Sequence, residues 1–328
     1  MRKAVPWMLV LLAAATAVAI AVRRPRGVSE PAAVEGALRI AAFDAQIDAY
    51  RAVDPALILY EETAGFPVQG FATLSALAVD AQGKIHAGGG RLRAVFSPDG
   101  AERRRFELPA DVSALAVDQA GRVFVGLGDT VHAYEADGAR AAVFADLPPD
   151  AIVTSIATVS EHVFVADARS RTVLRFDPDG TRTGAIDGRG ADPGDPGFVI
   201  PSPHFGLAPG TGRTLWVVNP GLHRLEEYNP DGVRIHAWAR EAGLEIENFS
   251  GCCNPCHIAR LADGSLVTAE RGIPRVKVYT RRGAFIGVVA APDRFESPNP
   301  GLALAVDERD RVLVADADRL RVRIFERR

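Results

Sequence analysis

Cysteine is scarce in this chain: three in 328 residues, all between Cys252 and Cys256. Clustered so tightly, they cannot be the distributed staples of a disulfide scaffold, and they read as one local device. Charge of one sign is also missing. With 41 acidic against 38 basic residues and a net charge of −3, binding to nucleic acid through bulk charge is excluded. No heptad repeat and no Gly-X-Y period run through the sequence, which rules out coiled coil and collagen. Aromatic residues make up only 7%. There is no Gly-rich phosphate loop, no Gly-x-Ser-x-Gly elbow and no His-Glu-x-x-His helix. Beyond residue 22 no apolar run is long enough to span a bilayer.

The composition that remains, 48% hydrophobic and 24% charged with 31 Gly and 22 Pro, suits a packed globular body of many short elements joined by turns. At the N-terminus Arg2 and Lys3 precede an uncharged run, Ala4 to Val22, that stops at Arg23-Arg24-Pro25-Arg26. As a helix it would rise about 28 Å, close to the hydrocarbon thickness of a bilayer. Residues 1–25 are therefore expected to be a signal anchor or transmembrane helix, and residues 26–37 a tether. The expected location is the cell membrane, single-pass, with the soluble domain outside the cytoplasm. Ala17-Val18-Ala19 offers a small-residue cleavage site, so a secreted product is the alternative.

From residue 38 onward the chain repeats itself. The anchors Leu77, Leu115, Ile156, Leu207, Ile258 and Leu304 each open an apolar tetrad or its variant, as in Leu77-Ala78-Val79-Asp80, and recur at intervals of 38 to 51 residues. A second β-like run follows each, then a third ending in Phe96, Tyr134, Phe176, Tyr228, Tyr279 or Phe325. After the first five of these, turns such as Pro98-Asp99-Gly100 lead into a fourth. Four strands in each of six copies predict an all-β fold, a six-bladed β-propeller over residues 38–328. The last copy ends at Phe325 without a fourth strand, and the otherwise unassigned segment near 56–62 is expected to supply it.

Ala166-Asp167 before Phe176, Glu270 before Arg275-Val276-Lys277-Val278-Tyr279, and Ala315-Asp316 before Arg321-Val322-Arg323-Ile324-Phe325 resemble the NHL repeat. The resemblance covers about Phe71 to Arg328, with Leu92 and Thr130 in the arginine position of the first two copies. It implies an NHL/lactonase-like propeller whose first strands line a central channel and whose leading loops gather ligand sites on one face. It leaves the chemistry open, since related six-bladed propellers include protein-binding modules, sugar-lactone hydrolases and a peptide-cleaving lyase.

Two leading loops are long, Asp187 to Pro203, which ends at His204, and Arg240 to Cys256. The second contains Cys253-Asn254-Pro255-Cys256-His257, a C-x-x-C-H match to covalent haem c attachment, with two thiols for the vinyl groups and a histidine for the iron. An alternative is a metal or redox-active thiol site in which His204 and Glu270 join the cysteines. Another is a local disulfide among Cys252, Cys253 and Cys256. A divalent metal held by His204, Glu270, Asn219 and Asp316 would suit a hydrolase or lyase of the sugar-lactonase type, although no early glutamate stands near Phe71-Ala72-Thr73. The leading expectation is a membrane-anchored, monomeric binding or scaffolding module. It would take a protein or small-molecule ligand at the channel face, beside the Cys252–His257 loop, and no nucleic acid.

Overall fold

The computed structural model describes residues 50–190, 192–298 and 302–328. The expected anchor and tether, residues 1–37, lie outside them. Among the described residues no helix is long and apolar enough to cross a membrane.

Six separate four-stranded antiparallel sheets make up the rest, the blades of a propeller. The inner strands are Ala76–Val79, Ala114–Val117, Val153–Val159, Leu207–Pro209, His257–Arg260 and Leu304–Val306, so each repeat anchor opens or lies within the inner strand of one blade. Within the first five blades the chain runs outward through consecutive hairpins. In the sixth, the outer place is taken by Tyr60–Pro67, which pairs antiparallel with Arg321–Arg327. The expected segment 56–62 overlaps this strand only in part, because Pro55–Leu57 forms a 3-10 turn capped by the Asp54 side chain. A proline at the first helical position favours that turn over extension.

The apolar core is divided. Six clusters of buried side chains each sit between two neighbouring blades, for example Trp216, Leu225, Phe249, Leu266 and Tyr279 between blades four and five. All six third-strand aromatics are buried in this way. The turn into the outer strand carries a second inter-blade contact. Gly100 has φ +86° and closes its turn by donating to Ser97 O at 2.8 Å. A Cβ there would meet the Phe66 ring at 2.5 Å, so glycine is required both by backbone conformation and by the neighbour's approach. Gly138 stands in the same relation to Phe106, and Gly283 to Trp238.

Phe66 itself closes the circle. It lies in the strand that completes blade six, yet its ring packs 4.8 Å from Phe96 of blade one. Within blade six Arg323 bridges Glu62 of the closing strand at 2.7 Å and Asp316 at 3.1 Å. Phe66→Ala is expected to destabilise the protein by about 3 to 5 kcal/mol, read from urea unfolding. Val143→Ala, at a position 43% exposed on an outer strand, is expected to change stability by less than about 0.5 kcal/mol. Equal effects would remove Phe66 from its place at the closure.

Candidate functional site

Leading loops must satisfy their backbone polar groups without a neighbouring strand, and in blades three, four and five the last residue of the second strand does this. Asp167 accepts from Ile152 N at 2.8 Å, Asn219 from Val199 N at 2.9 Å, and Glu270 from Ser250 N at 2.9 Å. In each case the acceptor holds the loop of its own blade. Asn219 also donates to Gly197 O and to Glu226. Asp316 is bonded instead to Arg319 and Arg323. The set His204, Glu270, Asn219 and Asp316 is therefore not assembled as a metal centre. His204 and Asn219 belong to blade four, Glu270 to blade five and Asp316 to blade six, the last three with their side-chain oxygens engaged, and among the described residues no three His, Cys, Asp or Glu gather to hold an ion.

The strongest of these clamps belongs to the Arg240–Cys256 loop. Glu270, Arg275 and Lys277 have fully buried side chains, with Glu270 3.0 Å from Arg275 and 2.5 Å from Lys277. Their remaining donors go to loop carbonyls: Arg275 to Leu244, Glu245 and Asn248, Lys277 to Ile246 and Asn248. Burial pushes the Glu270 carboxyl up, but Lys277 and Arg275 together outweigh it and hold it below the usual range. Burial also presses Lys277 down, to about 8, against the pull of Glu270. The arginine of the repeat thus grips its own blade's loop.

That loop delivers Cys256 and His257 to the inner strand, where successive side chains point to opposite sides. Cys256 is buried with the core residues between blades five and six and its thiol donates to Ala269 O at 3.2 Å. Burial lifts that thiol to about 12. The Cys256 thiol is enclosed in the core on the side of the strand opposite His257, so the expected haem c residues Cys253, Cys256 and His257 do not face one space here. All three cysteines are free thiols, and the Sγ atoms in contact are those of Cys252 and Cys253, 3.1 Å apart.

His257 faces the channel. It lines both a cavity of about 590 Å³ at the mouth and one of about 260 Å³ between the inner strands. At its repeat position the other blades carry Ala76, Ala114, Ser155, Gly206 and Ala303, so the imidazole is the one bulky side chain in that layer. His204 and Arg271 share the mouth cavity. Arg271 donates to His204 Nε2, and since a guanidinium can only donate, that nitrogen is unprotonated. Burial and Arg271 lower His204 to about 4, and burial and His204 lower His257 to about 4. Both imidazoles are therefore neutral at pH 7. His257 Nδ1 and Ser113 Oγ, on two lining residues, are buried without a partner among the described residues. Ser75 and Thr154 spend their hydroxyl protons on Val112 O and Phe205 O of the next blades.

The mouth thus unites His204 with His257 and leaves Asn219, Glu270 and Asp316 in its supports. Arg271 escaped the sequence reading. The signal was its register: the residue after the strand-end acceptor is Ala168, Pro220 and Ala317 in blades three, four and six, and charged only here.

No family model matches the sequence, and no curated protein matches it. Solved structures of similar fold include a streptogramin B lyase, 12% identical over 84% of this chain and 100% of that one, with a TM-score of 0.57. A catalytically inactive histidine-to-alanine variant of virginiamycin B lyase from Staphylococcus aureus, in complex with quinupristin, is 14% identical over 81% and 99%, with a TM-score of 0.54. A mitotic checkpoint complex chain is 11% identical over 84% and 94%, with a TM-score of 0.56. These likenesses carry the propeller fold.

Glu270→Gln leaves two buried cations without a counter-charge. It is expected to lower stability by about 3 to 5 kcal/mol in urea unfolding, and unchanged stability would deny the clamp its role.

Proposed function

We propose that the protein is a ligand-binding propeller of NHL type, held at the outer face of a membrane by its N-terminal residues, that takes a small anionic molecule at the channel mouth. The apolar run Ala4–Val22 supports the anchor. The observation that carries the ligand reading is the convergence of Arg271 with two neutral histidines on a cavity of about 590 Å³, within the range of small-molecule sites. Arg271 supplies fixed positive charge. His257 Nδ1 and Ser113 Oγ offer polar atoms that the protein leaves unpaired. Protein partners at the same face would instead call for a broad apolar surface, and among the described residues the exposed large hydrophobics, Val143, Ile152, Val233 and Ile235, do not gather in one blade.

An anion beside His204 and His257 favours their protonated forms and raises both pKa values. Binding is then coupled to proton uptake, and affinity rises as pH falls from about 6.5, the ordinary imidazole value, toward the free-site value of about 4. A screen of small carboxylates and phosphates by thermal shift, followed by calorimetry, tests this. A hit is expected to bind about tenfold or more weakly to His257→Gln, a loss of about 1.4 kcal/mol, and to take up protons on binding below pH 6.5. Binding indifferent to both pH and His257→Gln would place the ligand elsewhere.

A second reading is suggested by the neutral imidazoles, which can act as bases toward a proton α to a carbonyl once a substrate is seated. Lyases of the same fold, one of them inactive when a histidine is replaced, make quinupristin a trial substrate. Its cleavage, lost in His257→Gln, would convert the binding site into an active site.

A further inference from the structure

We propose that Cys252 and Cys253 are a reversible thiol–disulfide modification site, which a low-molecular-weight disulfide converts to a bridge between the two, with Cys256 taking no part. The inference rests on the thiols alone and stands apart from the ligand reading. Their sulfurs lie 3.1 Å apart, Cys252 exposed and Cys253 half-buried, whereas Cys256 is enclosed in the core. The frame on either side is pinned. His223 Nε2 donates to Gly251 O at 2.6 Å. Asn254 donates to Ser250 O at 2.6 Å and Arg271 O at 2.9 Å, and accepts from Arg271 N at 3.0 Å. Two thiols held together on a fixed loop meet the proximity requirement for an intramolecular second step.

The exchange balances without further reagents. The Cys252 thiolate, its proton passing to solvent, attacks one sulfur of the small disulfide. The first small thiolate leaves and takes up a proton, and a mixed disulfide remains on Cys252. Cys253 then attacks the Cys252 sulfur, expelling the second small thiol. Two electrons have moved from the cysteine pair to the small disulfide, which departs as two thiols. Adjacent residues hold their Cα atoms about 3.8 Å apart, against the roughly 5.5 Å of a relaxed bridge. Such a bridge is strained and easily reduced, which makes the site reversible.

Full-length protein treated with excess oxidised glutathione tests the proposal by thiol titration after denaturation and by peptide mapping. Two of the three thiols are expected to be lost, the Cys252–Cys253 peptide to lose the mass of two hydrogens, and dithiothreitol to restore all three. Cys253→Ser is expected to stop at glutathione on Cys252, while Cys256→Ser behaves as wild type. A bridge that includes Cys256, a stable mixed disulfide on the wild type, or three surviving thiols would overturn it. None of these readouts involves the channel ligand, so the two proposals fail separately.

Discussion

The buried Glu270 carboxylate is the interaction on which the candidate site depends. One oxygen atom pair serves Arg275, Lys277 and Ser250, and the two cations pass the restraint on to carbonyls along residues 244–248. A loop of that length has no strand partner for its backbone, and an unpaired buried polar group costs as much as a lost hydrogen bond. By fixing the loop, the clamp fixes where Cys256 and His257 join the inner strand. Strand alternation then sends the thiol into the core and the imidazole into the channel. Charge buried for scaffolding thereby determines which residues remain for chemistry.

Much of this architecture is legible in the sequence. Anchors at steady intervals, a period-two pattern and Asp-Gly turns suffice for six four-stranded blades, because each blade repeats one solution to the same burial problem. The missing fourth strand after Phe325 points to a segment from the start of the chain, and Tyr60–Pro67 fills that place. Its start is displaced from the expected range by Pro55, whose local turn preference outweighs the β-prone residues around it.

The site was less legible, for two physical reasons. First, strand-end carboxylates look like ligands in sequence, but a buried carboxylate is stabilised as well by backbone N–H groups and arginines as by a metal. Glu270 and Asp316 found those partners. Secondly, C-x-x-C-H fixes spacing along the chain and not direction in space. In a helix or loop the three groups can face one cofactor, whereas at the head of a strand Cys256 and His257 diverge. His257 and Arg271 stand out only when the six copies are compared by register: both are large polar residues where the other blades carry smaller or uncharged ones.

The channel mouth is a site with two neutral histidines: burial and Arg271 disfavour the charged form of His204, and burial and His204 that of His257. The most direct test is an NMR titration of the ring resonances of His204 and His257 in the ligand-free protein, assigned by single substitution. Both are expected to titrate near pH 4 and to remain neutral through pH 6. A midpoint near the ordinary value of about 6.5 for either ring would contradict the arrangement from which the ligand and its proton coupling were inferred.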